Sequence, residues 1–389
     1  MKIEDKNILL VFQGGNLGGA ERQAFGLTKY LVKEKNCKVD ILFIYSNELS
    51  DEFKEVLYKS NINKTYFFGD SYLFLKREVS IKNLKRLKWS LQYLLKLRKG
   101  LIKSKYDVII PFQNTQSKIA YYLYKILPTV KYTFWHQLGL DVLKHDMFES
   151  IAVNNMPCIV GNAENCLDIF RSDYKVKEQK LNLLPQYVSL KKELRDKNKI
   201  KKTLKIPTDK FVFGMIAHFA SFKYHALLLK LFKSFQKKHF NCHLVLMGNK
   251  LHGEGAMDIY NDLSRIIDKP NLKPNVTLLS NEDVTDVLNI LDVGVLLSLT
   301  EGTPNVVMEY MLYGLPVICS NHPGCVSLLK DSKLLVNNNE DEIYEAMENV
   351  MASKVLYKKE SDSNFELIKS YNVESYVNDL ETILSKNFK

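Results

Sequence analysis

Residues 293–321, VGVLLSLTEGTPNVVMEYMLYGLPVICSN, set two carboxylates, Glu301 and Glu309, around the start of a helix. Residues 293–299 form a short apolar run of strand type. Thr303 and Pro304 then have the character of an N-cap and a first helical residue, because threonine accepts an orphan N–H and proline has none to lose. Gly314 is the expected stop, and Pro316 opens the next buried strand, Val317, Ile318 and Cys319. On this layout Glu301 lies in a loop at the carboxyl end of a strand. Glu309 lies on the helix, one turn after Asn305, among Val306, Val307, Met308, Tyr310 and Met311. A carboxylate on an otherwise apolar helix is costly to bury without a partner.

The residues alone allow two interpretations. In one, the amides near Asn305 and Val306 and the helix dipole hold a diphosphate while the carboxylates accept hydrogen bonds from sugar hydroxyls. In the other, Glu309 of a buried βαβ unit meets a structural Arg or Lys. The segment is similar to the E-x7-E signature of retaining GT-B glycosyltransferases of family 4, written EGFPNVLLEAMACGLPVV. Glu301, Gly302, Pro304, Asn305, Val306, Glu309, Met311, Gly314, Leu315, Pro316 and Val317 match it. The resemblance implies a donor site holding Glu301, Thr303, Asn305, Val306 and Glu309, with Glu301 orienting the donor sugar and Glu309 the nucleotide ribose.

At 389 residues the chain is long enough for two domains. Its 46% hydrophobic and 25% charged residues are those of a globular protein, and no stretch approaches the ~20 apolar residues of a membrane span. The start MKIEDKNILLVF looks like a strand with acidic residues and not a signal peptide, so a cytoplasmic protein is expected. The six cysteines are scattered without C-x-x-C spacing, which suggests buried free thiols and neither a disulfide framework nor a zinc site. The net charge of +11 is uneven: residues 76–105 carry eleven Lys or Arg against the single acid Glu78, with Leu84, Leu87, Leu91, Leu94 and Leu95 at helical spacing. Such a helix can lie on an anionic membrane surface, or simply pack by its leucines and leave a solvated basic face. No nucleic-acid motif accompanies the charge.

Strand-like runs alternate with helical ones throughout, at 8–12, 39–45, 108–112, 131–135 and 158–160, then at 211–217, 243–247, 276–279, 293–299 and 316–319. This alternation predicts an α/β protein with parallel sheets. Residues 1–190 are the expected first Rossmann-like domain, the charged stretch 191–210 a linker or surface helix, and 211–365 the second, nucleotide-sugar-binding domain. Two such domains would enclose a cleft at the carboxyl ends of both sheets, the GT-B architecture. By family analogy residues 366–389 form a terminal helix that packs back on the first domain.

Three further motifs follow strands. Gln13 to Arg22, QGGNLGGAER, places a glycine loop before a helix, where backbone can approach a ligand; it is not G-x-G-x-x-G and lacks the acid a dinucleotide fold needs about 20 residues on. It resembles the amino-terminal GGAER-type motif of family 4, which implies a donor-phosphate or acceptor role for Gly18 and Gly19. Residues 218–225, HFASFKYH, resemble the family's GR-x4-KG segment: Lys223 matches, while His218 stands where Arg is usual, so one phosphate contact becomes pH-dependent. His136, after the strand expected at 131–135, corresponds to a histidine that the family places near the donor sugar and leaving phosphate. Elsewhere the chain departs from the family, reading Pro185-Gln186-Tyr187-Val188 where N-G-V-D is usual.

The expectation is a retaining glycosyltransferase moving a sugar from a nucleoside diphosphate to a hydroxyl acceptor, a glycan or lipid-linked intermediate of bacterial surface-polysaccharide assembly. His136, Glu301 and Lys223 would do the chemistry, by position and charge. The donor is a substrate, so no cofactor is expected; no D-x-D motif suggests a metal, and no nucleic-acid partner is expected. The alternatives are a GT-B nucleotide-sugar epimerase and a catalytically degenerate sugar-nucleotide-binding subunit.

Overall fold

In the computed structural model, which describes residues 1–15, 18–71, 73–140, 143–251 and 253–388, the chain divides into two compact units. The first is Met1–Ser189 with Asn372–Lys389, the second Leu190–Tyr371. The first unit holds β1 (Asn7–Phe12), β2 (Lys38–Phe43), β3 (Lys64–Phe67), β4 (Val108–Pro111), β5 (Trp135–Gln137), β6 (Ile159–Gly161) and β7 (Leu181–Leu183). They are paired in parallel as β3-β2-β1-β4 and β5-β6-β7. An isolated parallel bridge pairs Val108 with Tyr132, just before β5.

In the second unit β8 (Phe211–Ile216), β9 (Cys242–Gly248), β10 (Val276–Ser280), β11 (Val293–Leu296), β12 (Val317–Ser320) and β13 (Leu335–Val336) form one parallel sheet ordered β10-β9-β8-β11-β12-β13. This is the doubly wound order, third, second, first, fourth, fifth, sixth. The order reverses between β8 and β11, where Phe213 pairs with Val293 and Gly214 with Gly294. Helices cover both faces, so β9 and β11 are buried almost end to end and read as unbroken apolar runs.

Several expectations shift. The run at 131–135 is a strand only from Trp135, whose N–H bonds to the Cys158 carbonyl at 3.0 Å, because residues 131–133 are still bonded back to Asp107 and Ile109. His136 is therefore the centre of β5 and does not follow it. The strands β3, β7 and β13 were not anticipated; at 4, 3 and 2 residues they are too short for a period-2 pattern to declare itself. Residues 191–210, expected as a linker or surface helix, contain a helix, Lys197–Thr203, and Arg195 binds Asp283 and Asp286 at 2.6 Å each, tying the segment to the second unit.

The terminal helix Val373–Asn387 belongs to the first unit, where Val377, Leu380 and Leu384 enter the core and Glu381 accepts the Ile3 N–H at 2.7 Å. Residues 366–371, expected with it, stay in the second unit, where residues 366–368 end the helix Lys354–Ile368. The basic helix is Ile81–Leu101, and its leucines divide between two faces. Leu87, Leu94, Leu97 and Leu101 pack inward, whereas Leu84, Leu91 and Leu95 are 62%, 50% and 65% exposed among the lysines. All six cysteines are free and buried. Among the described residues no helix is long and apolar enough to cross a membrane.

Candidate active site

Backbone pairing at the carboxyl ends of β8 and β11 builds the centre of the second unit. After β8 the chain passes His218, which is exposed, and turns tightly, Lys223 N–H bonding to the Ala220 carbonyl at 2.9 Å. Tyr224 N–H then bonds to the Leu297 carbonyl at 3.1 Å and Leu299 N–H to the Phe222 carbonyl at 2.8 Å, so Lys223 and Ser298 face each other as an antiparallel bridge. The consequence is that the Lys223 ammonium donates to the Glu301 carboxylate, both side chains being largely shielded from solvent. Burial pushes the Lys223 pKa down, to about 8. Contact with the carboxylate opposes this by favouring the charged form.

The helix carrying Glu309 is Asn305–Leu312. It starts one residue later than expected: Pro304 is the cap and the buried Thr303 precedes it, so the threonine does not serve as N-cap. Its first turn, with Asn305 and Val306, presents amide groups that have no intrahelical acceptor. Its end is as read: Gly314 has φ +71°, its N–H bonds to Met311 and that of Leu315 to Tyr310, a complete Schellman motif. Glu309 is half-buried, one turn after Asn305.

Three supports escaped the sequence analysis. Tyr310 is fully buried over Gly294, and its hydroxyl accepts from Ile216 N–H at 2.8 Å and donates to the Gly214 carbonyl at 3.2 Å, locking the helix to the end of β8. Ser320 accepts from Ser298 N–H at 2.9 Å and donates to Asn338 at 2.6 Å, while Asn338 returns a bond to the Ser298 carbonyl at 2.9 Å. This closed ring fastens the root of the Glu301 loop. Gly324 packs its backbone on that loop, since a Cβ there would lie 1.8 Å from the Gly302 carbonyl oxygen. The serines at the ends of two apolar strands were the only available sequence signal.

In the first unit Gly18 caps the helix Gly19–Glu34, its N–H bonding to the Glu21 carboxylate at 3.1 Å. Asn16 and Leu17 of the same loop lie outside the described residues. The glycine that the backbone requires is Gly15, where a Cβ would fall 2.2 Å from the Glu48 carbonyl oxygen. His136 is 1% exposed, between Phe112 and Phe134. Its Nδ1 donates to the Pro111 carbonyl at 2.9 Å, its Nε2 has no partner, and burial lowers its pKa to about 4. It is thus a neutral imidazole with an open acceptor nitrogen, unable to serve as a cation. The missed neighbour is Gln113, at the end of β4 with φ +79° and ψ 178°, a conformation normally left to glycine; its carbonyl accepts the Ser117 hydroxyl at 2.7 Å, and Ser117 in turn accepts His136 N–H at 2.9 Å. The structure brings Lys223, Glu301, Thr303, Asn305, Val306 and Glu309 onto one edge of the second sheet; Gly18, Gly19 and His136 belong to the first unit.

Residues 196–367 match the family model for glycosyl transferases group 1. Solved structures align over nearly the whole chain. The Anabaena protein HepE, crystallised with UDP and glucose, has a TM-score of 0.77 at 15% identity, covering 98% of this chain and 99% of that one. A glycosyltransferase from Rickettsia africae also gives 0.77 at 15% identity, covering 99% of each chain.

The fold is GT-B.

Among curated relatives, an uncharacterized glycosyltransferase of Haemophilus influenzae is 27% identical over 173 residues, 43% of this chain and 47% of its own length. The chain spans about half the length of the first such relatives it matches. An Escherichia coli protein named UDP-Gal:alpha-D-GlcNAc-diphosphoundecaprenol alpha-1,3-galactosyltransferase is 24% identical over 323 residues, 78% of this chain and 81% of its own length. In the GT-B frame, Tyr310→Phe is expected to keep the fold and cost about 1–3 kcal/mol, because it leaves the partly buried Ile216 N–H without its acceptor. Urea unfolding of both proteins measures it; equal midpoints would mean that the hydroxyl does not secure the helix.

Proposed function

We propose that this protein is a retaining, family 4 GT-B glycosyltransferase that moves a sugar from a nucleoside-diphosphate donor to a hydroxyl acceptor, a glycan or lipid-linked intermediate. The observation that carries the proposal is the Lys223–Glu301 pair, set where the sheet order reverses and followed by the amides of the Asn305–Leu312 helix. An incoming diphosphate would draw Lys223 to itself and free Glu301 for a sugar hydroxyl. Lys223 and the helix amides would then stabilise the leaving diphosphate, and Glu309 would hold the ribose. His218, exposed after β8, would add a charge that depends on pH. The donor is itself the substrate, and no separate cofactor is invoked. HepE, solved in complex with UDP and glucose, and the diphosphoundecaprenol-linked substrate in the name of the E. coli relative favour this substrate class.

Incubating the protein with UDP-, GDP- and ADP-sugars and scoring slow hydrolysis tests the proposal, with the anomer released read by NMR. Conversion of the donor sugar without release would favour an epimerase instead. In Glu309→Ala, donor affinity by calorimetry is expected to fall by about 1.5–3 kcal/mol as charge-assisted bonds to the ribose are lost. The outward Leu84, Leu91 and Leu95 amid the basic residues of the Ile81–Leu101 helix favour attachment at an anionic membrane surface. Vesicle sedimentation should show salt-sensitive recovery with anionic lipid; equal recovery with neutral lipid would discard that partner.

A further inference from the structure

A diphosphate is a multiply charged anion, and the groups assigned to it so far bring little net charge to meet it. Lys223 is held by Glu301, so the two together are neutral. The amides of the Asn305–Leu312 helix carry partial charges, and the charge of His218 depends on pH. The loops that directly follow β8 to β13 are residues 217–224, 249–255, 281–283, 297–304, 321–322 and 337–339. They contain two lysines, Lys223 and Lys250, and no arginine.

Lys250 stands just past β9, against the chain that leaves β8. Ala217 N–H bonds to the Met247 carbonyl at 2.9 Å. Gly248 comes so close that a Cβ there would lie 2.4 Å from the Ala217 carbonyl oxygen and 3.0 Å from the Phe219 ring. The loop is fixed from the other side as well: Lys250 N–H bonds to the Ser280 hydroxyl at 3.1 Å, and Asn281 N–H to the Gly248 carbonyl at 3.3 Å. The Lys250 ammonium lies over the Tyr260 ring, 5.0 Å from its centroid, and the buried Phe219 ring meets Tyr260 edge-on at 5.5 Å. One aromatic pair therefore supports both the turn that carries His218 and the Lys250 side chain. Lys250 is half-buried, and among the described residues no carboxylate pairs with it. An ammonium resting on an aromatic face keeps its full charge, so an arriving anion has no ion pair to break. His252 of the same loop lies outside the described residues.

We infer that Lys250 is a further donor-binding residue, supplying to the diphosphate the permanent positive charge that a histidine at position 218 does not. The inference rests on the proposed function, since the anion it meets is the diphosphate of the donor. β9 adjoins β8, and neighbouring strands lie about 4.8 Å apart, so a phosphate at the end of β8 is one strand away from the root of the Lys250 side chain. Lysine acts there as a point charge and needs no fixed fork geometry.

Calorimetry with UDP, GDP and ADP identifies the nucleotide that binds the unaltered protein most tightly, and the variants are compared on that one. Lys250→Met keeps an apolar stem on Tyr260 and removes the charge; affinity is expected to fall roughly tenfold or more, whereas Lys250→Arg should retain it. The double variant Lys250→Met, His218→Arg decides the matter. A permanent charge at position 218 should restore most of the lost affinity, which it could not do if Lys250 served only to pack the loop or to contact the base. Unchanged affinity in Lys250→Met, or a loss that His218→Arg fails to restore, would overturn the inference and leave the transferase proposal standing. Failure of the unaltered protein to bind any of the three nucleotides would overturn both.

Discussion

A Lys223→Ala variant is expected to turn over the donor sugar roughly 10²–10³ times more slowly than the unaltered protein, the usual loss when one preorganised charge aimed at a developing anion is removed. The same lysine should write itself into the pH profile. Burial lowers it to about 8, so the ammonium is complete below that pH and is lost as pH rises through it. kcat/KM, which reports the free protein, should therefore fall above about pH 8, approaching tenfold per unit. Bound diphosphate favours the ammonium, so the alkaline limb of kcat should lie at higher pH than that of kcat/KM. Exposed His218 would contribute a separate pH dependence, and His218→Arg, always charged, should flatten only that one. An alkaline limb that survives in Lys223→Ala would assign it to another group.

Gly324→Ala should be nearly as damaging, although the residue touches no substrate. The added methyl would sit 1.8 Å from the Gly302 carbonyl oxygen and 2.8 Å from that of Glu301, both backbone atoms that cannot rotate away. Relief requires the loop to move by more than an ångström, and a displacement of that size at a positioning residue costs on the order of 100-fold in rate. The overlap also destabilises the second unit by about 1–3 kcal/mol, as overpacking does. Steady-state kinetics with thermal unfolding separates the two effects. Gly253→Ala, where nothing lies within 4 Å but φ is +107°, is the control for backbone strain without loop displacement. Comparable activity in the Gly324 and Gly253 variants would show that the Glu301 loop tolerates the shift.

What could be read from the chain is what local chemistry determines. The helix between Glu301 and Glu309, its glycine stop and the strand after Pro316 were legible because caps, stops and apolar runs act over a few residues. The one-residue error at Thr303 is of the same local kind. The pairing of residues 222–224 with 297–299 was not legible, because it depends on two strands brought side by side by the crossing order of the sheet. The Tyr310 hydroxyl was read as one more apolar position, since sequence cannot say that an amide at the end of β8 lies beneath it. Gln113 gave no sign of its left-handed backbone, which glycine would have announced. The leucines of the Ile81–Leu101 helix were grouped by spacing alone, and only the packing divides them into a core face and an exposed one. His136 was placed beyond a strand; it lies inside one, buried and neutral, and this changes what its nitrogen can do.

The bond from Ile3 N–H to the Glu381 carboxylate joins positions 378 residues apart in one unit. A ribosome adding about 5–20 residues per second therefore releases the beginning of that unit some 19–76 seconds before the helix that completes it. The second unit, Leu190–Tyr371, is synthesised entirely within that interval. The order in which the two units can finish folding is thus the reverse of the order in which they begin. A nascent chain halted after Tyr371 carries every residue of the Lys223–Glu301 site but leaves the apolar groove that receives Val377, Leu380 and Leu384 open to chaperones, proteases or another copy of itself.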